Sequence, residues 1–82
     1  MNAQVEQLYQ QGKFAEAIPL AQESLRVAQA SFGPEHPNVA VSLNDLALLY
    51  QAQGGYAEAE LLRKHALGIL EQKLEARSVP PK

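Results

Sequence analysis

Residues 53–72 read QGGYAEAELLRKHALGILEQ, and residues 11–30 read QGKFAEAIPLAQESLRVAQA. A shift of 42 residues lays one on the other. Gln11, Gly12, Ala15, Glu16, Ala17, Leu20 and Leu25 then meet Gln53, Gly54, Ala57, Glu58, Ala59, Leu62 and Leu67. Phe14 falls on Tyr56 and Val27 on Ile69, which keeps shape where identity is lost. Ordinary composition gives roughly one or two chance identities in such a window, so the segment is duplicated.

Within the duplicated unit the apolar residues keep helical spacing. Ala59, Leu62, Ala66, Ile69, Leu70 and Leu74 recur about every 3.6 residues, as do Val39, Leu43, Leu46, Ala47 and Tyr50. Val5, Leu8 and Tyr9 suit a short first helix. Phe14, Ala17, Ile18, Leu20, Ala21, Leu25 and Ala28 suit a second. The breaks are glycine and proline. Gly12 and the Gly54-Gly55 pair end helices, since glycine accepts the left-handed conformation beyond a C-terminus. Gly33-Pro34-Glu35-His36-Pro37 is a stiff turn, with Pro37 able to open the next helix where its missing N–H costs nothing. Pro19 falls early in the second helix, where a kink is expected but tolerable. The pattern predicts an all-α chain of about four helices in antiparallel hairpins. Residues 1–77 form the domain, in repeats over 1–33 and 37–77, and residues 78–82 form a frayed tail. Ala47, Ala59 and Ala66 are expected where helices cross, with Leu43, Leu46, Tyr50, Tyr56 and Leu62 filling the space around them.

The chain has 82 residues, 46% of them hydrophobic, with 7 basic and 9 acidic side chains and a formal charge of −2. One small domain follows, too apolar for a disordered segment. No basic run or basic stripe with interleaved aromatics is present, so neither nucleic acid nor an anionic membrane is expected as a partner. Without cysteine there is no disulfide or thiolate metal site. The N-terminus lacks the basic and apolar regions of a signal peptide, and no stretch approaches the roughly 20 apolar residues that span a bilayer. A cytoplasmic location is the resulting expectation.

No catalytic constellation emerges. His36 belongs to the turn and His65 to a helix face, far apart and without ligand spacing to a carboxylate. Ser24, Ser31 and Ser42 have no oriented histidine. Gly54-Gly55 is followed by Tyr56 rather than by the Lys and Ser/Thr of a phosphate loop. The expectation is a non-enzymatic chain with no cofactor, no metal and no small-molecule substrate. Glu58, Glu60, Arg63, Lys64, Glu71, Lys73, Glu75 and Arg77 read as a solvated helix face.

The run Leu43-Asn44-x-Leu46-Ala47-x-Leu49-Tyr50-x-x-Gln53-Gly54-x-Tyr56-x-Glu58-Ala59-Glu60-x-Leu62, ending in Ala66-Leu67, resembles a tetratricopeptide repeat (TPR). With the 42-residue period and the Gly33-Pro34-x-His36-Pro37 turn, it is similar to the kinesin-light-chain type of TPR. The resemblance covers nearly the whole chain. The sequence departs from the pattern in three places. Gln4 and Val5 stand where Leu and Ala are usual, in a first helix about a turn short. Arg63 stands where a large apolar residue is common, and Ser24 where the second repeat has Ala66.

The resemblance implies a module that binds a protein or peptide segment on a concave face built by the first helix of each repeat. On that face it places Asn2, Glu6, Tyr9, Val41, Asn44, Asp45, Leu48 and Gln51. Asparagine at the position of Asn44, and of Asn2 one period earlier, hydrogen-bonds a bound peptide backbone in similar proteins; the alternative is a spacing or capping role. The face carries no lysine or arginine, so it does not resemble the TPRs that clamp a C-terminal carboxylate. Tyr50 and Tyr56 are expected in the core with their hydroxyls at its rim, and Tyr9 is more open.

Helical repeats bury their faces against neighbours, and around three are normally needed. Fewer than two complete units stand here, with Leu67, Leu70 and Leu74 left as an apolar stripe on the last helix. Self-association is therefore expected, as a symmetric dimer through the helix over 57–76; the alternative is a piece of a longer array.

Overall fold

A computed structural model describes the backbone of residues 3–78 and the side chains of residues 3–72. Four helices follow one another: α1 (Ala3–Gln10), α2 (Phe14–Phe32), α3 (Pro37–Ala52) and α4 (Tyr56–Ser78). No strand occurs among the described residues. Three- and four-residue connections join them, so consecutive helices pack antiparallel. α4 runs through Ser78, the first residue of the expected tail, and residues 79–82 lie outside the described residues.

The turns behave as their glycines and prolines dictate. Gly54 has φ of +87°, a conformation open to glycine and costly to other residues. Gly55 serves a different purpose: a Cβ there would stand 3.3 Å from the Tyr50 carbonyl oxygen, while its N–H donates to that oxygen at 2.7 Å. At the middle turn, Pro37 is the first residue of α3. His36 is its N-cap: Nδ1 accepts a hydrogen bond from the Asn38 N–H at 3.0 Å. The imidazole also stacks on Phe32, centroids 4.7 Å apart.

Pro19 is the sixth residue of α2, a full turn in, and the helix continues through it. An ordinary residue there would bond the Ala15 carbonyl. Pro19 and Ala15 are both exposed, so water can satisfy that oxygen.

The core divides into two clusters along α3. Near the start of α3, Val39, Ala40 and Leu43 pack with Ala28 of α2 and with Ala66 and Ile69 of α4. Near its end, Leu46 and Leu49 pack with Ala17 and Ala21 of α2 and Val5 of α1. α3 is thus held between α2 and α4. Ala47, Ala59 and Ala66 are at most 1% exposed, so the small residues do sit where helices press together. No polar or charged side chain is buried among the described residues.

Tyr56 corrects the expectation made for it. It was placed in the core and is 67% exposed. Its counterpart Phe14 is half-buried because the Tyr9 ring meets it edge-on at 5.4 Å across the α1–α2 turn. One period later the position of Tyr9 holds Gln51, which offers Tyr56 no ring to pack on. Tyr50 does occupy a half-buried site with its hydroxyl at the rim, where it accepts a hydrogen bond from the Gln22 amide at 3.1 Å.

Candidate partner-binding surfaces

α3 buries residues toward both neighbours, and what it leaves open is a single strip. Val41 (53% exposed), Asn44, Leu48 (42%) and Gln51 recur at three- and four-residue steps and share one side of the helix, with Asp45 half-buried among them. With about half of each side chain still in water, covering Val41 and Leu48 would recover roughly 1 kcal/mol apiece. A strip alternating such residues with amides can take up another chain, burying its aliphatic groups and satisfying its backbone.

α1 contributes less than the sequence suggested. Glu6 is exposed, whereas Tyr9 is half-buried against Phe14 and helps close the first hairpin. Asn2 lies outside the described residues. Among the described members of the strip the charges are the carboxylates of Glu6 and Asp45, with no lysine or arginine.

Asn44 also borders a second surface. With Arg63, Leu67 and Leu70 it lines a groove of about 260 Å³ between α3 and α4. Leu67 is 55% exposed and Leu70 36%. Two sets of residues that the sequence kept apart, the α3 strip and the α4 stripe, therefore meet along Asn44. The Leu74 side chain is outside those described.

A larger groove, about 460 Å³, escaped the sequence reading. It runs between α2 and α4 with α3 as its floor, and Leu25, Leu46, Tyr50, Leu61 and Leu62 line it. One signal was available. Leu61 and Leu62 are adjacent in a helix, so only one can face α3; Leu62 does, and Leu61 is 68% exposed. A further groove of about 350 Å³ lies between α2 and α3, beside Val27 and Phe32. The equivalent of Val27 one period later is Ile69, which is buried against α3; α1 has 8 residues to α3's 16 and does not provide the same cover. No group of three or more His, Cys, Asp or Glu residues able to hold a metal ion occurs among the described residues.

Short antiparallel hairpins on a 42-residue period, with alanines at the crossings, form a repeat architecture, and the family model described as "Tetratricopeptide repeat" matches residues 1–72. The chain belongs to the tetratricopeptide-repeat family. Among curated proteins, nephrocystin-3 from Xenopus laevis is 39% identical over 55 residues, and nephrocystin-3 from Xenopus tropicalis 42% over 55 residues. Each match covers 67% of this chain and 4% of the relative, so the likeness to these far longer proteins is local. TPR modules generally mediate protein–protein interaction or scaffolding, without catalysis. No described helix of this TPR chain is long and apolar enough to cross a membrane.

Proposed function

We propose that this chain is a TPR interaction module of the 42-residue, kinesin-light-chain-like type, and that its α1/α3 side is the concave face that receives a segment of a partner protein. The observation that carries this reading is the exposed strip Val41–Asn44–Leu48–Gln51 on a helix otherwise enclosed by its neighbours. Val41 and Leu48 would cover aliphatic side chains of the segment. Asn44 would bond its backbone, and Glu6 and Asp45 disfavour a ligand ending in a free carboxylate. The test is selection of binding peptides from a random library on the intact chain, followed by titration of the winners. Asn44→Ala combined with Leu48→Ala should weaken them by about tenfold or more, one lost hydrogen bond plus part of a leucine contact. Unchanged affinity in the double variant rules the strip out.

A second reading is self-assembly, and the open leucines of α4 favour it. Here Leu67 and Leu70, with Leu74 next in sequence, form the contact between copies of the chain. Leu70→Glu would bury an unpaired charge there and weaken the assembly by roughly two orders of magnitude or more. Sedimentation velocity of the two proteins at matched concentrations reads the difference. Identical sedimentation of an assembled wild type and the variant removes Leu70 from the interface.

A further inference from the structure

The 42-residue period shows what the outward side of α4 is shaped to hold. Arg63, Leu67 and Leu70 are the counterparts of Ala21, Leu25 and Ala28 on α2. On α2 that side is covered: Ala21 is 3% exposed and Ala28 8%, and the helix covering them is the antiparallel α3. On α4 the same side is open, and the groove beside Asn44 runs along it. An antiparallel helix is thus the cover that this geometry already uses once within the chain.

The α4 sequence says which helix. Glu60, Arg63, Leu67 and Leu70 are all exposed and fall at spacings of three, four and three, the a and d positions of a heptad seam, which Leu74 continues in sequence. α4 has 23 residues and is about 35 Å long, enough for three heptads. One flank of the seam is closed, because Ala66 is buried against α3. The other flank carries exposed Lys64 and Glu71. These two lie seven residues apart, about 10.5 Å along the axis, beyond the three- and four-residue spacing at which helix side chains pair.

We infer that α4 docks against α4 of a second copy as an antiparallel two-helix seam centred between Leu67 and Leu70, with Lys64 of each chain paired to the partner's Glu71. This rests on the self-assembly reading and specifies its register and polarity. Antiparallel packing of a against d positions sets Leu67 over the partner's Leu70, and the two-fold axis repeats the contact. The same register brings Lys64 opposite the partner's Glu71 twice, on the open flank away from α3. Arg63 lies toward the outer end of the seam, where its aliphatic stem can cover apolar surface while the guanidinium stays in water. A parallel seam would instead turn each helix's open flank toward the partner's Ala66 flank, which α3 closes, so Lys64 and the partner's Glu71 could not pair.

Sedimentation velocity on the intact chain at low ionic strength tests this with Lys64→Glu, Glu71→Lys and the double exchange. The substituted positions are exposed, so helical circular dichroism should hold steady. The wild type should dimerise. Each single exchange turns two attractions into two repulsions and should raise the dimer Kd about tenfold, less at high salt. The double exchange should restore it to within about threefold, because each pair is re-formed with its signs reversed. A dimer indifferent to the single exchanges, or one not rescued by the double, overturns the register while leaving self-assembly standing. A wild type that remains monomeric to about millimolar concentration overturns both.

Discussion

Leu49→Ala should lower the midpoint of thermal unfolding by about 10–30 °C. Leu49 is 0% exposed and heads the fully buried side chains by volume. It packs in the cluster that joins Val5 of α1, Ala17 and Ala21 of α2, and Leu46 of its own helix. Truncation loses the transfer free energy of three carbons and leaves a cavity that the surrounding packed side chains fill only in part. Such changes cost about 2–5 kcal/mol. At about 0.05–0.15 kcal/mol per residue, 82 residues hold about 4–12 kcal/mol in all, so much of the total is at stake. In a domain of this size each kcal/mol moves the midpoint by about 4–8 °C. The adjacent Leu48 is 42% exposed, and Leu48→Ala should shift the melt far less. Calorimetry on the two variants checks the contrast, and equal shifts would contradict the assignment of inside and outside on α3.

Ala59→Leu should destabilise by about 1–3 kcal/mol for the opposite reason. Ala59 is 1% exposed on α4, where that helix presses on α3, so added methylenes have no space to enter. The helix must move outward or the leucine must take a strained rotamer. Ala57, two residues earlier and exposed, is the control: Ala57→Leu should stay within about 0.5 kcal/mol. Urea titration of both variants measures the difference. Equal midpoints would mean that Ala59 does not mark a close helix crossing.

The order of helices was legible because each element carried several agreeing signals. The period of 42, the glycines beyond helix ends, Pro37 at a helix start and the 3.6-residue spacing all point to hairpins, and Ala47, Ala59 and Ala66 are where that scheme requires small residues. Most of the failures come from tertiary geometry. Tyr56 was aligned with Phe14, but burial of Phe14 depends on the ring of Tyr9 across the turn, and the alignment of two helices does not report what a third supplies. The cap made by His36 was hidden because histidine is an unusual acceptor there; its position before Pro37 was the available clue. The α2–α4 groove depends on how far apart two helices stand when they share α3 but not a turn.

The candidate surfaces were legible in part. Val41, Asn44, Leu48 and Gln51 share a strip because helical spacing alone fixes their side of α3. That the strip should be the open one required both α2 and α4 in place. The meeting of Asn44 with Arg63, Leu67 and Leu70 depends on the pitch of α4 against α3, which no spacing within either helix encodes.

The enclosure of α3 between α2 and α4, with one strip left to solvent, is the claim on which these surfaces depend. Nuclear Overhauser spectroscopy on the methyl-labelled intact chain tests it most directly. Methyls of Val39 and Leu43 should show cross-peaks to Ala28 on one side and to Ile69 on the other, while Val41 shows none to either. Cross-peaks from Val41 to Ala28 or Ile69, or none from Val39 and Leu43 to either helix, would contradict it.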